Sequence, residues 1–242
     1  AILVHAPHPT ALPKSAVGGY LAGRHARNVY DSEAASVFYN RALESDPNNP
    51  ELLRRTLTAM VGEGRIVESL PLANRLVGLK VMDPTAFLSL ATHQVRANEF
   101  QAARHQLTSL PKTGFYPYLK SLLIAWTVAG DGEGDSALEK LKFLLESSNF
   151  SATHDYHAGL IADLFGMNDA AHATYRSAVT SVRGPRLRSV LAAGSFYERN
   201  GRPEEARRLY EAFPNAGPET TALDTALKRL QDGHVALPFV ND

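Results

Sequence analysis

The sequence predicts an all-α solenoid of about six antiparallel helix pairs, and three observations carry that prediction. Gly23, Ala35, Tyr39 and Ala42 recur in the same spacing as Gly159, Ala171, Tyr175 and Ala178, and again as Gly194, Ala206 and Tyr210 with Phe213 in the last place. The first two sets stand 136 residues apart, which is four steps of 34. Stepping through that gap puts Leu57, Ala91 and Ala125 in the glycine place, and Ser69, Ala103 and Ala137 in the first alanine place. Finally, Gly or Asn, which can end a helix, falls at Glu63-Gly64-Arg65, Asn98-Glu99, Gly132-Glu133-Gly134, Gly166-Met167-Asn168 and Asn200-Gly201-Arg202.

The elements follow in order. Residues 1–15, "AILVHAPHPTALPKS", hold three prolines and no helical period, and read as an extended N-terminal arm. The array occupies 16–215, with repeats near 16–49, 50–83, 84–117, 118–151, 152–186 and 187–218, the sixth offset by one residue. Paired helices approach closely only where their side chains are small, so Gly23 is expected to face Ala35 and Gly159 to face Ala171. Tyr39, Tyr175 and Tyr210 then fill the space between successive hairpins. Asp46-Pro47 and Asp83-Pro84 close repeats, since Pro cannot continue a helix but can begin one. Repeat two carries Leu57 in the glycine place and about three extra residues before Asp83, which predicts wider helix spacing or a longer second helix. A capping helix is expected over 219–231, with Leu223, Ala226, Leu227 and Leu230 on one face. The apolar tail 232–242, "VALPFV" within it, either folds back on the array or continues in a longer natural chain, and the second is the expectation.

Composition excludes several classes. Twenty-five basic residues cancel twenty-five acidic ones, so no net field draws the chain to nucleic acid or an anionic membrane. The absence of cysteine rules out disulfides, thiolate metal sites and a Cys nucleophile. The longest apolar stretch, Leu119 to Ala129, is interrupted by Lys120 and is too short to span a bilayer.

No catalytic constellation emerges. His154 and His157 lie three apart on one helix, but no third metal ligand is evident. Asp131 to Asp135 alternates acids like a calcium loop, yet the sixth and twelfth places are Ser136 and Lys142 instead of Gly and Glu. Ser195 follows Gly194 without the strand and second glycine of a hydrolase elbow. No Gly-rich phosphate loop follows a predicted strand. The expectation is therefore a non-enzyme with no cofactor and no metal.

The 34-residue period resembles the tetratricopeptide repeat (TPR) family over about residues 16–215. The resemblance implies a right-handed superhelix of helix-turn-helix units, with the first helices lining a concave groove that holds a peptide or helix of a protein partner. Carried over by position, it nominates Tyr20, Arg24, Arg27, Arg54 and Thr58, then Leu88, Thr92, Val95, Leu122 and Trp126, and last Tyr156, Leu160, Asp163, Leu191, Ser195 and Glu198. That groove runs from basic through apolar to acidic, with Trp126 and Tyr156 as anchors; for Trp126, packing is an equal alternative. The Lys and Asn of the chaperone-binding carboxylate clamp are replaced here by Tyr20/Arg24 and Arg54/Thr58. The implied function is a non-catalytic interaction scaffold, and the alternative is a self-associating structural module using the arm, tail or convex face. The motif style also resembles bacterial exported TPR proteins with longer chains, which implies a periplasmic location, with the cytoplasm as the alternative.

Overall fold

Left-handed backbone at six residues sets the hairpins of this chain. Tyr30 (φ 60°), Gly64 (78°), Asn98 (59°), Gly132 (84°) and Gly166 (66°) recur every 34 positions, and Gly201 (71°) follows one residue late. Behind each, a backbone N–H reaches across the helix end to a carbonyl five residues earlier. The bonds run Asp31 to Ala26, Arg65 to Met60, Glu99 to Gln94, Glu133 to Val128, Met167 to Ala162 and Arg202 to Tyr197, at 2.8–3.2 Å. This closure satisfies a helix-terminal carbonyl and turns the chain back. The expected turns and the offset of the sixth repeat are all present; the first turn, built on Tyr30, carried no Gly or Asn signal.

The computed structural model describes residues 15–180, 186–213 and 220–240, and these contain thirteen α-helices and no strand. The arm expected at 1–15 lies outside the described residues except for Ser15. The helices are α1 (Ala16–Asn28), α2 (Ser32–Ser45), α3 (Pro50–Gly62), α4 (Ile66–Gly78), α5 (Pro84–Arg96), α6 (Phe100–Thr108) and α7 (Tyr116–Gly130). They continue as α8 (Gly134–Leu141), α9 (Ser151–Leu164), α10 (Asn168–Val179), α11 (Leu187–Arg199), α12 (Pro203–Glu211) and α13 (Thr220–Gln231), with a 3₁₀ turn at Lys142–Glu146 after α8. Side-chain caps start several of them: Ser15 accepts from Gly18 N–H, Asp31 from Ala34, Asn49 from Glu51 and Leu52, and Asp83 from Ala86. Asp83-Pro84 behaves as the sequence predicts. Asp46-Pro47 differs, because α3 begins at Pro50 under the Asn49 cap and leaves Pro47 in the linker.

The chain divides into two compact units, residues 1–117 and 118–242. Unit 1 holds the core of α1–α5, with Leu53, Leu57, Ala73 and Leu76 fully buried. Unit 2 holds one apolar cluster around α7–α9 and another around α9–α13, with Leu223 and Ala226 of the capping helix buried in the latter.

The nearest neighbours of Gly23, Gly159 and Gly194 are tyrosine rings. A methyl on Gly23 would lie 2.6 Å from the Tyr39 ring, one on Gly159 2.6 Å from Tyr175, and one on Gly194 2.2 Å from Tyr210. Gly23 and Gly159 therefore face tyrosine rings, with Ala35 and Ala171 buried nearby in the same core. The reason is volume: a ring inserted between paired helices needs a partner with no side chain. Repeats two to four exchange the sizes, with Leu57 and Ala73, Ala91 and Leu107, and Ala125 and Leu141 all buried at the same two places. Repeat two thus accommodates Leu57 through Ala73, and its second helix, at 13 residues, is not lengthened relative to the 14 of α2. The tyrosines also reach the next hairpin as expected, the Tyr175 and Phe196 rings standing 5.5 Å apart.

Candidate partner-binding site

In unit 1 three of the nominated residues line a cleft of about 460 Å³ beside the end of α1, the middle of α3 and the start of α5. Arg27, Arg54 and Thr58 line it together with Glu51, Arg55, Asp83, Thr85 and Tyr116. The α5 cap places Asp83, and Asp83 then accepts from Arg54 Nε at 3.1 Å. Glu51, one turn before Arg55, holds that guanidinium at 2.5 Å and stands 3.6 Å from Arg54. Three arginines thus face two carboxylates, and the Arg54 side chain keeps 49% of its surface exposed. Tyr20 has a packing role: its ring stands 6.2 Å from that of Tyr39, with the Arg55 guanidinium 5.2 Å above it. Arg24 is exposed on α1 outside the cleft, and Leu88, Thr92 and Val95 form a partly exposed face of α5.

In unit 2 most nominated residues are engaged internally. Trp126 Nε1–H donates to His157 Nδ1 at 3.0 Å, the two rings meeting edge to face, and Tyr156 stands edge to face on His157. Burial lowers the His157 pKa, which favours the neutral acceptor that this bond requires. His154 pairs with Asp155 at 2.8 Å. Burial opposes ionisation of Asp155, but bonds from His154 and Ser177 outweigh it and hold its pKa below the usual carboxylate value. Both histidines are accounted for, and among the described residues no group of three or more His, Asp or Glu could hold a metal ion. Leu122 packs against the α7–α9 cluster, and Leu160 is buried.

The two nominated acids belong to a repeated arrangement that position-by-position reading missed. Asp163 takes both Arg199 Nη groups, at 3.1 and 2.6 Å, and the Tyr175 hydroxyl at 3.3 Å. Glu198 takes Arg229 at 3.0 and 2.7 Å and the Tyr210 hydroxyl at 2.8 Å. Burial and the adjoining carboxylate push both tyrosine pKa values well above normal. The signal was present as an acid followed 12 positions later by a tyrosine. In repeat one the same spacing joins Arg27 to Tyr39, and the Tyr39 hydroxyl makes no hydrogen bond of good geometry among the described residues. Glu198 also accepts from Ala236 N–H at 2.9 Å, and Ser195 Oγ donates to Leu237 O at 2.8 Å. Of the two alternatives given for the tail, the described residues show the first: Ala236 and Leu237 are bonded to α11, and the tail folds back on the array.

Six helix pairs followed by α13, with left-handed turns on a 34-residue period that slips by one residue at the sixth, define one architecture, and the comparison with solved structures matches it. The crystal structure of a tetratricopeptide repeat protein from Parabacteroides merdae ATCC 43184 superposes with a TM-score of 0.70 at 15% identity, over 90% of this chain and 87% of that one. The chain has the tetratricopeptide-repeat fold. Two further solved structures agree in fold: pilF of Pseudomonas aeruginosa, with a TM-score of 0.58 at 12% identity over 90% of this chain and 97% of its own, and YrrB. YrrB, a TPR protein with an unusual peptide-binding site, gives 0.52 at 14% identity over 78% of this chain and 97% of its own. No protein-family profile matches the sequence, and no curated protein matches it. Among the described residues no helix of these TPR hairpins is long and apolar enough to cross a membrane.

Proposed function

We propose that this chain is a non-catalytic interaction scaffold that holds a segment of a protein partner in the unit 1 cleft, against the faces of α1, α3 and α5. The observation that carries this reading is the convergence of Arg27, Arg54 and Thr58 on one open, polar cleft with an excess of arginine over carboxylate. Guanidinium groups held at a fixed distance by Glu51 and Asp83 suit an acidic or carbonyl-rich segment, since their free N–H forks bind planar oxygens in pairs. The peptide-binding site described for YrrB supports the same use of a similar fold. Leu88, Thr92 and Val95 on α5 would extend the contact with an apolar stretch.

The test is capture of a partner from the source cell, comparing the parent with an Arg27→Glu, Thr58→Glu double variant of equal helicity by circular dichroism. Both side chains are exposed and lie outside the core, so folding is retained. A partner held by the parent and lost by the variant supports the reading; equal capture removes the cleft from it.

A further inference from the structure

Two buried donors in the first two repeats lack an acceptor. The Tyr39 hydroxyl is fully buried, Arg55 Nε is buried as well, and among the described residues neither makes a hydrogen bond. They are neighbours, since the Arg55 guanidinium carbon stands 5.9 Å from the centre of the Tyr39 ring. Burial opposes the charged form of Arg55, and Tyr39 and Glu51 beside it outweigh that and raise its pKa. Hydroxyl and guanidinium nevertheless do not meet in hydrogen-bond geometry. Glu51 engages Arg55 at Nη2, which leaves Nε to seek another acceptor. Buried donors of this kind are rare, because an unmade bond forfeits the whole cost of desolvation.

The later repeats show what belongs at this place. Asp163 and Glu198 stand 12 positions before Tyr175 and Tyr210 and accept from their hydroxyls. Where the second helix carries Ala73, Leu107 or Leu141 instead of tyrosine, the residue 12 positions earlier is apolar: Val61, Val95 and Ala129. A polar side chain there thus accompanies a tyrosine hydroxyl. Repeat one keeps the tyrosine but puts Arg27, which can only donate, where the carboxylate stands in repeats five and six.

We propose that repeat one binds a small free oxyanion, of the phosphate or carboxylate type, between Arg27, Arg55 and Tyr39, in the part that Asp163 and Glu198 play in their own repeats. The Tyr39 hydroxyl and Arg55 Nε–H donate to it, and Arg27 supplies charge from the open side. Entry is through the unit 1 cleft, which Arg27 and Arg55 both line. The Arg55 side chain, 21% exposed, lies between the cleft and Tyr39 and turns to admit the ion. Glu51 and Asp83 also line the cleft, but Arg27, Arg54 and Arg55 outnumber them, so the local charge favours an anion. This inference does not rest on partner capture, which can fail while the ion still binds.

The probes are sodium phosphate and sodium acetate, added separately to the intact chain at an ionic strength held constant with sodium chloride. The reading is the Arg55 Nε–H resonance by NMR. At least one of the two ions is expected to shift it saturably, and which one does so tells a phosphate site from a carboxylate site. Tyr39→Phe is expected to weaken that ion at least ~10-fold. Arg27→Asp, which builds in the carboxylate that repeat five carries, is expected to abolish the response to added ion. In the Arg27→Asp background, Tyr39→Phe should lower the melting temperature, which it does not do in the ion-free parent. Arg41→Gln, which alters an exposed arginine of α2 outside the cleft, is expected to leave the affinity unchanged. Four results each overturn the proposal: no saturable shift with either ion, equal affinity of parent and Tyr39→Phe, undiminished affinity in Arg27→Asp, or a loss in Arg41→Gln as large as in Tyr39→Phe. A hydroxyl served by solvent alone gives the first of these. The parent titration needs no variant, so it decides the matter even if Arg27→Asp folds poorly.

Discussion

Three tyrosines at equivalent places have different surroundings at the hydroxyl, and that difference predicts their separate contributions. Tyr210 donates to the buried Glu198 at 2.8 Å and Tyr175 reaches Asp163, whereas Tyr39 is fully buried with no well-formed hydrogen bond. A hydrogen bond to a charged acceptor contributes about 1.5–3 kcal/mol. Tyr210→Phe should therefore lower unfolding stability in urea by about 1.5–3 kcal/mol, while Tyr39→Phe should change it by less than ~0.5 kcal/mol or raise it. A loss at Tyr39 as large as that at Tyr210 would mean that Arg55 or another group pairs with the hydroxyl in solution. Tyr30 poses a backbone question: at φ 60° and 94% exposure, its ring gains no burial to offset the left-handed conformation. That conformation costs about 1–2 kcal/mol outside glycine, and glycine's extra unfolded freedom returns part of it. Tyr30→Gly should thus raise stability by up to ~1 kcal/mol.

Between helices, the governing variable is the combined volume at the two facing places. Gly194→Ala puts a methyl 2.2 Å from a rigid ring carbon of Tyr210 and should cost about 1–3 kcal/mol. Gly23→Ala should cost a similar amount, and adding Tyr39→Leu should recover most of it, because Ala with Leu already fills these places at Ala91/Leu107 and Ala125/Leu141. Additive losses in that double variant would show that the hairpins do not share one volume rule. The α7–α9 contact adds a pH dependence. Burial lowers His157 below its ordinary value of 6.5, so below that pH the unfolded chain takes up the proton first. The stabilisation is complete above about pH 6.5 and falls as pH drops through the folded value, when Nδ1 becomes a donor and rejects the Trp126 N–H. Melting temperature should therefore decline between about pH 6.5 and 5 more steeply in the parent than in His157→Gln, with the emission of Trp126, the chain's one tryptophan, changing in parallel.

At the scale of the whole chain, the larger contacts run between helices adjacent in sequence, as from α1 to α2, α2 to α3 and α9 to α10, with smaller second-neighbour contacts such as α3 to α5 and α9 to α11. In such arrays stability is close to a sum of repeat and neighbour contributions. Gly194→Ala should then accelerate amide exchange in α11–α13 while leaving α1–α4 at parent rates, measured by mass spectrometry on the intact chain. Uniform acceleration along the chain would show a single cooperative unit instead.

The sequence by itself determined the repeat. A 34-residue recurrence of small residues and turn formers marked the helical hairpins and five of their six turns, because short-range rules for helix ends act within a few residues. Only the tertiary structure decided what the side chains meet. A methyl on Gly23 would meet the Tyr39 ring first, a contact set by the rise and rotation between paired helices, which no spacing encodes. Asp163 and Glu198, read as an acidic groove end, are consumed by Arg199 and Arg229, residues 36 and 31 positions away. The tail settles on Ser195 and Glu198 through main-chain groups, which every residue type carries alike, so no side-chain pattern could announce it.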